Sequence, residues 1–186
     1  MRLFIALPLP KNIEDFLGEI IFVLKQKGGK VKWVAPKNVH LTVKFLGETG
    51  EDKIAAIKSV LQGIAEKYPP VLAAINKIGA FPDLKQPRVI WAGLTGDINI
   101  LEALAGDIEK EMTQLGFPGE DKGFKAHLTL GRIKDNYGLG ELAESIKSYQ
   151  IASATWQFET LVLFNSVLTP QGPIYSRLFE AKLKTE

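Results

Sequence analysis

The sequence predicts a mixed helix-and-strand fold, α/β or α+β with a mixed or antiparallel sheet, in which two related halves face each other. Three observations predict it. Strand-like and helix-like apolar periods alternate along the whole chain, the pattern of helices packed on sheets. Gly and Pro clusters punctuate the junctions. One segment, His40-Leu41-Thr42-Val43, recurs as His127-Leu128-Thr129-Leu130 about half a chain length later, and each copy sits on a strand followed by a helix. Outside those strands the halves share little sequence.

Each element follows from its local pattern. Leu3 to Leu7 is a β-prone run, stopped by Pro8 and Pro10. Ile13, Phe16, Leu17, Ile20, Ile21 and Leu24 recur at helical spacing, and Gly28-Gly29 closes that helix. Beyond Trp33 and the Pro36-Lys37-Asn38 turn, Val39 to Gly47 reads as a strand. Ile54, Ile57, Val60, Leu61, Ile64 and Ala65 mark a second helix, ended by Pro69-Pro70. Val71 to Phe81 and Arg88 to Leu94 read as strands on either side of a loop at Pro82 to Pro87. Ile100, Leu101, Leu104, Ile108, Met112 and Leu115 mark a third helix that ends at Gly116. Phe124 to Ile133 is again strand-like, Leu139 to Ser148 is a short helix, and two strands finish the chain, Thr155 to Leu168 and Ile174 to Leu183.

The 186 residues suffice for a real core in one domain or two lobes sharing an interface, and a composition of 46% hydrophobic and 24% charged residues excludes disorder and fibrous classes. A net charge of +2 points only weakly to a polyanionic partner. With no cysteine, thiolate catalysis, disulfides, iron–sulfur clusters and Cys-containing zinc sites are all excluded. The apolar run from Arg2 to Pro10 is too short to span a bilayer, so no membrane partner is expected and a cytoplasmic setting is the default.

The only two histidines, His40 and His127, each open a His-Leu-Thr triplet. Ordinary residue frequencies make that coincidence improbable, on the order of 10⁻⁵. Alternation along a strand puts each His and Thr on one face and the aliphatic partners on the other. Two such strands across a cleft would offer two imidazoles and two hydroxyls around one point, which suits a tetrahedral anion. Phosphodiester hydrolysis needs a base, an acid and donors to the growing negative charge, and two histidines that titrate near neutrality supply both proton transfers. Thr42 and Thr129 would donate to non-bridging oxygens. Lys44 and Arg132 are the candidate cations. Lys44 has the strand parity of His40, whereas Arg132 has the opposite parity to His127 and needs a bulge or a strand end to reach the site.

Two histidines with no carboxylate in either motif fall short of a metal site, so no metal is expected. No Gly-x-Ser-x-Gly elbow, P-loop or dinucleotide fingerprint is present, and no cofactor is expected. Trp33, Phe45 and Trp91 are candidates for stacking on a base, although strand aromatics more often belong to a core.

The paired motifs, with Arg2-Leu3-Phe4-Ile5-Ala6, His40 to Gly47, Pro87 to Gly93 and Ser166 to Pro173, resemble the 2H phosphoesterase superfamily over essentially the whole chain, and within it the RNA 2′,3′-cyclic phosphodiesterases, also called 2′-5′ RNA ligases. The resemblance implies one bilobal α+β domain over residues 1–186, with both His-x-Thr motifs in a central cleft and helices outside. It implies metal- and nucleotide-independent opening of a terminal 2′,3′-cyclic phosphate to a 2′-phosphomonoester, with His127 as proton acceptor, His40 as proton donor, and Thr42, Thr129 and Arg132 on the phosphate. The implied partners are RNA ends bearing a cyclic phosphate, tRNA fragments among them, and no obligate protein partner. The alternatives are the reverse reaction, ATP-independent 2′-5′ ligation of tRNA-like halves, and a non-catalytic RNA- or nucleotide-binding module.

Overall fold

The computed structural model describes residues 1–184. Strand β1 (Arg2–Pro8) buries Leu3, Ile5 and Leu7 on one face. Pro10, which has no N–H to continue a ladder, stands at the N-cap of helix α1 (Lys11–Lys25). Ile13, Leu17, Ile20, Ile21 and Leu24 form its buried stripe. Gly28 and Gly29, both at φ 79°, supply the left-handed turn beyond it. There follow β2 (Lys30–Trp33), a 3₁₀ turn at Pro36–Asn38, β3 (His40–Glu48), α2 (Ile54–Ala65), β4 (Val71–Phe81), β5 (Val89–Gly96) and α3 (Ile98–Gln114). The remainder is β6 (His127–Asp135), α4 (Gly140–Ser148), β7 (Thr155–Phe158), β8 (Thr160–Thr169) and β9 (Gly172–Lys182).

Two sheets form, in the orders β3-β1-β8-β9 and β2-β6-β5-β4-β7. Every strand pairing among the described residues is antiparallel, which makes the class α+β. The internal echo extends to topology: β1-α1-β3-α2 in the first half matches β5-α3-β6-α4 in the second. In each unit the motif strand lies beside the strand that opens the unit. The halves are also interlaced. Strand β2 leaves the first half to pair with β6, and β8–β9 returns from the end of the chain to complete the sheet of β1.

Three expectations need correcting. Lys30–Trp33 is a strand, too short to stand out in the sequence and held by pairing with β6. The motif strand of the second half begins at His127 itself rather than at Phe124. The expected strand at 155–168 is two, β7 and β8, separated at Glu159 and placed in different sheets.

One apolar core joins the helix stripes to the inner faces of both sheets. A second, small cluster of Phe4, Ala6, Val162 and Phe164, with Tyr175 against it, lies on the other face of the first sheet. Among the described residues no helix is long and apolar enough to cross a membrane.

Candidate active site

The two motif strands are built alike to the residue. Pro8 pairs with His40, Leu7 with Leu41 and Ala6 with Thr42; Val43 is then skipped, and Ile5 pairs with Lys44 and Phe4 with Phe45. On β6, Gly93 pairs with His127, Ala92 with Leu128 and Trp91 with Thr129; Leu130 is skipped, and Ile90 pairs with Gly131 and Val89 with Arg132. Each strand therefore carries a bulge at the third residue after its histidine. A bulge inserts one residue and reverses the face of everything beyond it. Val43 and Lys44 both turn inward as a result, as do Leu130 and Gly131. Phe45 and Arg132 emerge on the face of the histidines.

This register places the two candidate cations on opposite faces. Lys44 does not reach the site: it is 1% exposed, with Nζ donating to Glu109 Oε2 at 2.5 Å and to the Pro118 carbonyl at 3.0 Å. Its parity with His40 in the sequence is undone by the bulge between them. Arg132 meets the condition that the sequence left open, and its side chain is exposed on the histidine face. Burial pushes the Tyr175 phenol up, and the charges of Arg132 and Arg2 pull it partly back. Arg132, carried by one sheet, thus acts electrostatically on Tyr175, carried by the other.

Both imidazoles are oriented by the same device. His40 Nδ1 lies 2.8 Å from the Asn38 carbonyl, and His127 Nδ1 lies 2.7 Å from the Lys125 carbonyl, two residues back in each case. A carbonyl only accepts, so each Nδ1 carries the proton and donates it. Nε2 is left to take or give a proton. The Thr42 and Thr129 hydroxyls, two residues on and on the same face, have no hydrogen-bond partner among the described residues and are free to donate to a ligand.

The surroundings of the histidines differ. His40 stacks on Phe4 at 4.8 Å between ring centroids and meets the Tyr175 ring edge-on at 5.4 Å. Burial in that aromatic nest lowers its pKa to about 4, against the opposing effect of the bond to Asn38. His127 meets Phe81 edge-on at 5.3 Å, and Phe81 stacks on Trp91 at 4.9 Å. Lys77 and Lys125 place their ammonium groups over Trp91 and Phe81, 5.5 and 5.7 Å from the ring centroids. The surroundings of His40 are aromatic and enclosed, those of His127 aromatic and cationic.

Of the aromatic candidates, Phe45 and Trp91 lie on the cleft face, and Phe45 is 59% exposed. Trp33 packs against the main core instead, lying over Gly131, where a Cβ would come within 3.0 Å of its ring. Sequence reasoning missed Phe4, Phe81 and Tyr175. Phe4 could have been found from its even spacing with Ala6 and Pro8; Tyr175 depends on a register between distant strands that leaves no local mark. The Ser166 to Pro173 segment forms the tip of the β8–β9 hairpin. Among the described residues no group of three or more His, Cys, Asp or Glu side chains comes together.

Comparison with known proteins identifies the family and the fold. A family model described as LigT like phosphoesterase matches residues 7–91 and 96–175. A relative from Archaeoglobus fulgidus named RNA 2′,3′-cyclic phosphodiesterase is 38% identical over 97% of this chain and 100% of its own length. One of the same name from Methanocaldococcus jannaschii is 34% identical over 97% of this chain and 99% of its own. Among solved structures, one of a Thermus thermophilus protein, TT0787, superposes with a TM-score of 0.80 at 30% identity, covering 98% of both chains. E. coli LigT complexed with 3′-AMP superposes with a TM-score of 0.76 at 22% identity over 99% of this chain and 98% of its own, a likeness of fold.

Proposed function

Because the chain belongs to the LigT-like phosphoesterase family, we propose that it opens the 2′,3′-cyclic phosphate at RNA ends to a 2′-phosphomonoester, His127 serving as general base and His40 as general acid. The observation that carries this reading is the mirrored pair of bulged strands. Each presents one imidazole with Nδ1 committed to a carbonyl and one unengaged threonine hydroxyl. The whole chain acts as one bilobal catalytic unit, since each sheet contributes one of the two histidines.

The step balances without an added reagent. His127 Nε2 takes a proton from water as the oxygen attacks phosphorus, and the P–O3′ bond breaks on the opposite side. His40 Nε2–H delivers its proton to O3′. Thr42, Thr129 and Arg132 hold the non-bridging oxygens, whose negative charge grows as the bond forms. The products are a 2′-phosphomonoester and a 3′-hydroxyl, and the two imidazoles reset through solvent. RNA fragments such as tRNA halves in the cytoplasm fit this chemistry.

The acid role has a consequence for protons. Burial lowers the His40 pKa to about 4 and so favours the neutral imidazole at pH 7; His40 becomes an acid only when an anion beside it favours the charged form. Binding of adenosine 2′-monophosphate at pH 7 is therefore expected to take up protons, up to one per site. Calorimetry in buffers of different ionisation enthalpy measures the uptake, and His40→Asn should lose most of it. Equal uptake in the variant would assign the proton elsewhere.

The reaction is tested by incubating the protein, in excess chelator and without nucleotide, with a short RNA ending in a 2′,3′-cyclic phosphate. Mass and phosphatase sensitivity should identify a 2′-phosphate. A protein that binds this RNA and leaves it unchanged is a binding module.

A further inference from the structure

Helix α1 carries a second face, turned away from the core. Lys11, Asp15, Gly18, Phe22 and Lys25 follow one another at intervals of 4, 3, 4 and 3 residues, the spacing of a seam along one side of a helix, and none of them belongs to the buried stripe. Phe22 stands 67% exposed on this seam, and Val23 beside it 42%. One turn before Phe22 lies a groove of about 340 Å³, lined by Asp15, Gly18, Glu19, Phe22, Val23 and Pro36. A glycine inside a helix is unfavourable. Here the missing side chain lets the 3₁₀ turn close on α1, since a Cβ would come within 3.2 Å of Pro36 Cγ, and it leaves the groove open. We propose that this face docks a second copy of the chain, the two α1 helices packing antiparallel about a two-fold axis with Phe22 of each seated in the groove at Gly18 of the other.

Shape and charge both commit the face to a second copy. The protruding ring and the groove lie one turn apart on the same helix, so an antiparallel pair fills both grooves at once. Such self-complementarity is what a two-fold interface requires, where residue i meets residue j and j meets i. Parallel pairing in register would set Phe22 against Phe22 and leave both grooves empty. The register that puts Phe22 opposite Gly18 also puts Asp15 opposite Lys25, and each pair then occurs twice. Asp15 is bonded to Lys11 of its own chain, and Lys25 has no ion-pair partner among the described residues. Pairing therefore gives Lys25 a carboxylate and places Asp15 between two ammonium groups. Glycine at the crossing lets the helix axes approach toward the lower end of the usual 8–10 Å range. One helix of 15 residues per copy is a small contact beside the roughly 1,200 Å² of a standard interface, so association is expected in the micromolar range.

Sedimentation velocity on the full chain, at loading concentrations from about 1 to about 500 µM that span a weak interface, tests the pairing. The wild type is expected to shift from the mass of one chain toward that of two. Phe22 is largely exposed, so Phe22→Asp should fold, as circular dichroism would verify, and should stay monomeric throughout. Asp15→Lys and Lys25→Asp each set like charges opposite one another at two places in the dimer, and each should weaken association about tenfold or more. The double variant Asp15→Lys/Lys25→Asp restores opposite charges across the interface and should recover most of the wild-type association. A wild type that stays monomeric overturns the second copy as occupant and leaves the groove to a protein of different sequence. A dimer that persists in Phe22→Asp uses another face, and a double variant no better than the single ones overturns the antiparallel register.

Discussion

Substitution of either histidine by asparagine is expected to lower kcat for a 2′,3′-cyclic phosphate end by about 10²- to 10⁴-fold, the range for a positioned acid or base, with KM changing little. In the proposed mechanism both groups act on protons that move only in the transition state, so the loss belongs in kcat. The double variant should be scarcely worse than the worse single one, because two groups serving one displacement do not contribute additively. The two roles separate with a second substrate. A phosphodiester with a p-nitrophenolate leaving group needs no acid, so His40→Asn should recover most of its activity on it while His127→Asn should not. Recovery in His127→Asn alone would exchange the assignments. That outcome has a physical motive, since burial favours the neutral form of His40 and a neutral imidazole is what a base requires. Activity that survives both substitutions in folded protein would move the site elsewhere.

The second large effect is on stability, at the buried ion pair behind the first motif strand. Lys44 is enclosed, and Glu109 has a side chain 35% exposed. Burial pushes the Glu109 carboxyl up, but the Lys44 ammonium and the Glu120 amide outweigh it and hold the carboxyl below its ordinary range. Glu109→Ala leaves an ammonium in the core with only the Pro118 carbonyl, and is expected to cost about 3 kcal/mol. Lys44→Met keeps the side-chain bulk, removes the buried charge and leaves Glu109 able to turn to water, so it should cost less than about 1.5 kcal/mol. Urea titration of both variants decides the matter, and equal losses would mean that the pair is not an asymmetric burial. Glu109 also accepts from the Glu120 amide at 2.9 Å, which ties the same pair to the loop leading into β6. The damage in Glu109→Ala should therefore extend to the placement of His127.

What could be read in advance follows physical range. Helix stripes such as Ile13, Leu17, Ile20 and Leu24 are local, because a 3.6-residue period shows which face is buried whatever it packs against. The histidine pair was legible for a different reason: two imidazoles in identical contexts are improbable without a shared task. Lys44 and Arg132 were misjudged or left open together, because strand parity is a local rule and the bulges at Val43 and Leu130 are not local features. A bulge is a mismatch of count between two strands, and nothing in His-Leu-Thr-Val says that β1 will skip its fourth residue.

Period and repeat are enough to establish that helices and antiparallel-competent strands alternate, that the chain has two equivalent halves, and that His40, Thr42, His127 and Thr129 are the chemical centre to propose. Each of these signals is carried by short segments of the chain, the repeat being a likeness between two of them. The assembled fold was needed to show that β2 crosses to the second sheet, that Lys44 is a core ion-pair partner while Arg132 stands on the histidine face, and that Phe4 and Tyr175 enclose one histidine while Phe81 flanks the other. Each of these depends on register between strands far apart in the chain, where a shift of one residue exchanges the two faces of a sheet.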